Sequence, residues 1–254
     1  MIVPPSLEID TKTISKIDSA GLDTPPPPYV SLSHQIPSSS KPSNFVTISR
    51  RAHNIKGSFN IDPSLRVPIS YLPALAEGEK EKDRQNLRLE SKNLNVQAEV
   101  YVLSRQPLDG RQKVTLTFSS SNGSVTCRVR RGEGSDPPIV INATSRNGSV
   151  VAHIPRSFHG LITATTRHGA RPKLSESVMT QTTTFGNDGD VSRYYVGEYD
   201  AEHLEKNIGD ELVVESRLGG VRIFYDEEEE TNYLTDMIQS ARRFAAFGEQ
   251  LLKR

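Results

Sequence analysis

The side chains that could do chemistry are few and far apart. Six histidines, His34, His53, His153, His159, His168 and His203, fall at no metal-ligand spacing, and neither His-Glu-x-x-His nor Cys-x-x-Cys occurs. His153 and His159 flank Pro155-Arg156-Ser157-Phe158 and could bracket a site, yet the sequence offers no third partner. The single cysteine, Cys127, can form neither an intramolecular disulfide nor a multi-thiolate metal centre. Its alternating apolar neighbours make it a buried strand residue. Gly186-Asn187-Asp188-Gly189-Asp190 has the composition of a calcium-binding loop, but a stacked ion site needs several copies and this stands alone, so it reads as a turn. Glu90 and Glu215 hold equivalent places before a serine in a recurring phrase. A converging carboxylate pair is the apparatus of glycoside hydrolysis, whereas carboxylates repeated along a stack simply form a solvated ladder. No Gly-x-Ser-x-Gly elbow or phosphate-cradling loop is present. The sequence therefore assigns no catalytic, cofactor or metal residue, and the reading is non-enzymatic.

The strongest linear motif is Pro26-Pro27-Pro28-Tyr29, which fits Pro-Pro-x-Tyr. A polyproline II tract is preformed, so it docks into the aromatic groove of a WW domain at small entropic cost, with the tyrosine in a second pocket. Pro26, Pro27 and Tyr29 are the partner-binding candidates, and a WW-domain protein such as a Nedd4-type ubiquitin ligase is the partner implied.

What must position these residues is read from a six-residue phrase, Ser-x-Asn-Gly-Ser-Val. It stands at 120–125 and 145–150, with looser copies at 91–96, 166–171 and 216–221. Internal repetition at a period of about 20–30 residues is the signature of a solenoid coil or a stacked hairpin. Asn-Gly accepts positive φ, which tight turns between strands demand. Asn93, Asn122, Gly123, Asn147, Gly148, Gly169 and Gly219 are accordingly expected as turn residues. The flanks agree with a turn: around Asn147-Gly148, Ala143 faces Ala152 and Ile141 faces Ile154. Around the other phrases Phe118 faces Cys127, Leu89 faces Ala98 and Val214 faces Ile223, one common apolar face. The phrase at Thr166 breaks the rule by setting Ala164 against Lys173, so an edge or a distorted corner is expected there. The gap from Thr166 to Ser216 has room for one more degenerate unit, centred on 184–190 with strands at 179–183 and 194–199.

Organisation follows from composition. Residues 1–43 are rich in Pro, Ser and Thr without period, which predicts a disordered tail. Order is expected to begin at Phe45-Val46-Thr47-Ile48-Ser49, followed by a turn-rich stretch through Pro63, and the all-β domain spans 44–226. A solenoid is favoured over an antiparallel meander or sandwich by the unit length. Residues 227–254 recur at three and four and read as an amphipathic helix that caps the domain. Self-association or membrane contact by that helix are the lesser readings. Lys plus Arg and Asp plus Glu each number 31, so no global field draws nucleic acid. With no signal peptide and no apolar run near bilayer length, a soluble intracellular protein is expected.

Five segments taken together carry a family likeness: Ile61-Asp62-Pro63-Ser64-Leu65, Leu87 to Asn93, Asn147-Gly148-Ser149-Val150, Ile154 to Gly160 and Gly209 to Ser216. The chain resembles an uncharacterised domain-of-unknown-function family of mushroom-forming (basidiomycete) fungi. More distantly it is similar to bacterial putative-adhesin domains of β-solenoid form. The resemblance implies an all-β repeat fold and transfers no catalytic residue. The function expected is an interaction or scaffold module, with a carbohydrate-binding or carbohydrate-active β-solenoid as the alternative.

Overall fold

The computed structural model describes residues 41–75, 78, 80–81, 84–103, 105–107, 112–132, 137–167, 171–198 and 209–228. The 1–43 tail apart from its last three residues, the 227–254 segment after Glu228, and Gly169 lie outside them.

Each phrase is a corner between two strands that belong to different sheets. The first coil is β1 (Val46–Arg50) and β2 (Ile55–Ile61); the second is β3 (Leu87–Ser91) and β4 (Val96–Val102). The third is β5 (Val114–Ser120) and β6 (Val125–Arg131), and the fourth β7 (Ile139–Ser145) and β8 (Val150–Ile154). Next come β9 (Gly160–Thr166), the two-residue β10 (Lys173–Leu174) and the short helix α1 (Glu176–Thr180). A hairpin of β11 (Thr182–Asp188) and β12 (Val191–Val196) precedes the last coil, β13 (Asp210–Ser216) and β14 (Val221–Tyr225). One sheet runs β1-β3-β5-β7-β13-β9-β12-β11 and the other β10-β14-β8-β6-β4-β2. Strands of successive coils pair in parallel and in register, so Leu87, Leu116 and Ile141 form one row and Val96, Val125 and Val150 another. The fold is the solenoid of the two expected architectures; β7 and β8, like the other flanks, face each other across the core instead of pairing. Strict alternation puts Leu89, Phe118, Ala143 and Val214 inside with Ala98, Cys127, Ala152 and Ile223, all essentially inaccessible.

Three expectations are corrected. The turn-rich stretch before Pro63 is a full strand, β2, whose Ile55 and Ile61 are buried. A first coil therefore exists whose corner, Arg51 to Asn54, lacks Asn-Gly altogether. The unit centred on 184–190 is no coil: β11 and β12 pair antiparallel and β12 adds to β9, so the hairpin extends the sheet, with β11 as its exposed edge strand. Met179 lies in α1 and is exposed, while Gly189 turns the hairpin at φ 57°. Stacking order also departs from chain order. β13 pairs with both β7 and β9, and β14 with both β8 and β10, so the last coil is inserted between two earlier ones. The aberrant phrase at Thr166 belongs to the terminal rung, where Lys173 is exposed.

The third correction concerns why glycine occupies the corners. Gly123, Gly148 and Gly219 do not adopt positive φ. They are required by how closely the coils approach: a Cβ on Gly148 would sit 2.5 Å from the carbonyl oxygen of Gly123. The preceding serine explains that closeness. Ser145 Oγ accepts from its own Gly148 N–H at 2.8 Å and donates to the Gly123 carbonyl of the next coil at 2.8 Å. Ser120 and Ser216 repeat both bonds with Gly123 and Leu94, and with Gly219 and Gly148. Outside them the amides stack, Asn147 Nδ2 donating to Asn122 Oδ1 at 2.6 Å and Asn122 Nδ2 to Asn93 Oδ1 at 2.9 Å.

Two neighbouring glycine substitutions separate these causes. Gly148→Ala must part the coils and is expected to cost about 1–3 kcal/mol, as overpacking does. Gly220→Ala, with open space around its Cβ, is expected to stay within roughly 0.5 kcal/mol of the parent. Urea denaturation of the two variants checks this; equal losses would return the requirement to backbone conformation.

Candidate functional site

Ser157, His159 and Asp210, the residue types of a hydrolytic triad, meet at the corner opposite the phrases. Ser157 and His159 lie in the loop from β8 to β9, and Asp210 opens the inserted coil. Their bonding is of another kind. Asp210 Oδ1 accepts from Arg131 Nη1 at 3.0 Å and from the Ile139 N–H at 2.9 Å. Its Oδ2 accepts from Arg131 Nη2 at 2.7 Å and from the backbone N–H of His159 at 2.9 Å. Ser157 Oγ takes a hydrogen bond from Arg131 Nε at 2.8 Å, and the same arginine reaches the Ser157 carbonyl. The His159 ring turns away, its Nε2 3.1 Å from the Glu198 carbonyl oxygen and its edge against Tyr195. A base that neither faces the serine nor is oriented by the carboxylate cannot activate a hydroxyl. The arrangement is a clamp: one guanidinium of β6 and one carboxylate of β13, side chains 6% and 4% exposed, bind four coils' worth of chain at a single point.

Two further aspartates do the same work. Asp62, after β2, pairs with Arg105 at 2.8 Å and caps its own turn through the Ser64 N–H at 3.0 Å. Asp226, after β14, lies 3.6 Å from Arg130 while its N–H donates to the Ile154 carbonyl. The segments at Ile61, Ile154 and Gly209 that carried the family likeness thus each contribute to these clamps.

Residues 44–228 match the family described as Domain of unknown function (DUF7330). The chain belongs to that family. No curated protein and no solved structure matches it.

Within the DUF7330 domain the other candidates are apart. Glu90 and Glu215 share a row, Glu90–Ser119–Thr144–Glu215, and so stand three strand spacings apart, about 14 Å. That exceeds the separation of a retaining or inverting carboxylate pair, and each is bonded to an arginine of its own strand or corner, Arg88 and Arg217. His153 is buried on β8, stacked on Phe224 with ring centroids 5.3 Å apart, and does not meet His159 across the Pro155–Phe158 segment as one site. Asp188 and Asp190 sit at the β11–β12 hairpin tip, and among the described residues no three His, Cys, Asp or Glu side chains group as a metal site. Asn93, Asn122, Gly123, Asn147, Gly148 and Gly219 line the corners. Pro26, Pro27 and Tyr29 lie outside the described residues, as does Gly169. The clamp itself escaped sequence reading because Arg131 and Asp210 are joined only by the insertion of the last coil.

Cys127 is inaccessible, and burial pushes its thiol up to about 12 from an ordinary 9.0. The native protein should therefore resist a thiol-specific reagent at pH 8 and react fully in denaturant. Because the unfolded thiol ionises first, this group's contribution to stability is complete below about pH 9 and declines as pH rises toward 12. Removing one clamp partner has a larger effect. Asp210→Ala strands a buried guanidinium and two backbone N–H groups, and the expected loss is about 3–5 kcal/mol in urea denaturation. A loss below about 1 kcal/mol would mean that the clamp does not hold the inserted coil.

Proposed function

We propose that this protein is a non-enzymatic interaction module, in which a rigid β-solenoid holds a Pro-Pro-x-Tyr tail available to WW-domain partners. The observation that carries the reading is the way the reactive side chains are used. Asp210 is saturated by four donors, His159 is held on a carbonyl, and Cys127 is enclosed. What remains outward is periodic: rows of amide, hydroxyl and charged groups repeating from coil to coil in strict register. Such a surface suits recognition of extended partners more than chemistry on a small substrate. The fungal source and the distant adhesin likeness suggested by the motifs belong to the same reading, as does an intracellular location. Among the described residues, no helix is long and apolar enough to cross a membrane.

The tail is tested with full-length protein titrated against purified WW domains by fluorescence anisotropy. Tyr29→Ala is expected to weaken binding at least tenfold, since it empties the second pocket. Equal affinity of the parent and Tyr29→Ala would remove the WW-domain partner.

A further inference from the structure

The second residue of each corner points outward, and in stacking order these residues are Arg51, Lys92, Ser121, Arg146, Arg217 and Arg167, all exposed. Five of six consecutive rungs therefore carry a cation in a protein whose formal net charge is zero. Backbone bonds run through the corner over the first five rungs, Lys92 N–H to the Arg50 carbonyl, Asn122 to Lys92, Arg146 to Ser120 and Arg217 to Ser145, and the sixth is placed by the register of β13 with β9, which runs up to Ser216 and Thr166. At the strand spacing of about 4.8 Å the six rungs span about 24 Å. Arg51, Lys92, Arg146 and Arg167 form no ion pair among the described residues. The two carboxylates nearby are occupied, Glu90 by Arg88 at 2.7 Å and Glu215 by Arg217 at 3.1 Å. Over the uncharged rung, Ser121 opens onto a concavity of about 380 Å³ lined also by Arg50, Arg51, Lys92 and Ser119, and by Glu90, whose carboxylate is held by Arg88. Beside the cations runs the Asn93–Asn122–Asn147 amide row, exposed on its outer side.

We infer that this corner is a binding site for an extended acidic peptide, a run of Glu or Asp on a partner protein. The cation row matches its charge, and a 24 Å rail accommodates about seven extended residues at about 3.3 Å each. The amide row supplies the rest. Each asparagine keeps donor and acceptor capacity beyond its ladder bond, which matches the N–H and C=O of a peptide backbone. A phosphodiester chain presents acceptors only and would leave the amide oxygens unmatched. The corners, residues 50–55, 91–96, 120–125, 145–150 and 216–221, contain no Phe, Tyr or Trp, and so offer no platform on which nucleobases stack. The inference goes beyond the tail-mediated reading and does not rest on it, because different ligands report on the two.

The test measures anisotropy of a fluorescein-labelled peptide of eight glutamates with the full-length protein at low salt. The triple variant Lys92→Gln, Arg146→Gln, Arg167→Gln is expected to bind roughly tenfold more weakly or worse. A charge-matched control, Lys41→Gln, Arg66→Gln, Arg193→Gln, changes exposed residues off the rail and should stay within about twofold. Added salt should weaken the parent and converge it on the rail variant. Equal losses in both triples would reduce the effect to net charge and overturn the site. So would no binding by the parent, or tighter binding of a single-stranded oligonucleotide or a polyuronate of the same charge than of the peptide.

Discussion

Everything in this fold hangs on how near two corners can come. A parallel stack keeps its ladder through a bend only if the backbone at the bend is as close to its neighbour as the strands are. At the fourth corner position of the third, fourth and last coils a side chain would run into the backbone of the coil it stacks on, so glycine stands at these three, whereas the second coil carries Leu94 there. One serine hydroxyl then serves two masters, satisfying the amide of its own coil and the carbonyl of the next. Each such bond contributes about 0.5–1.5 kcal/mol net, but leaving either group unmade inside the stack would cost more. Register follows from this. Once the corners are locked, every strand is fixed to the residue, and the apolar rows meet across the core without further instruction.

The opposite corners solve the same problem with charge. There the connections are long and differ from coil to coil, so no hydroxyl can recur at a fixed place. Aspartates at 62, 210 and 226 instead take arginines from other coils, each carboxylate side chain no more than 6% exposed. A buried ion pair gives little net stability against an apolar substitute. Its geometry is demanding, however, and a bidentate fork with two backbone donors accepts only one placement of β13. The clamp therefore specifies where the last coil goes more than how strongly it stays.

These two devices differ in how visible they are to a reader of the sequence. The corner phrase is local: Ser120 to Val125 and Ser145 to Val150 state both the turn and the inward face of its flanks. That was enough for the buried Cys127 and the oddity at Thr166, while the choice of a solenoid over stacked hairpins rested on the length of the unit. The reason given for glycine was wrong because positive φ is a property of one turn, whereas the crowding at Gly148 comes from another coil. The first coil was missed because Arg51-Ala52-His53-Asn54 has no coil beneath it to demand a glycine. Thr182 to Val196 was misjudged because alternation marks strands but not the direction of their pairing. Asp210 lies in a segment that carries the family likeness, but nothing local announced its role; its partners lie 51, 71 and 79 residues away, and only the stacking order joins them.

That order has a consequence for synthesis. A solenoid built in sequence can add one finished rung at a time as it leaves the ribosome. Here β9 and β10 are made before the rung that separates them from β7 and β8. Until residue 225 has emerged, the growing chain must either leave a vacant slot one coil wide or pack β9 on the wrong neighbour. A message cut short before Asp210 would yield not a shorter stack but one missing its next-to-last rung.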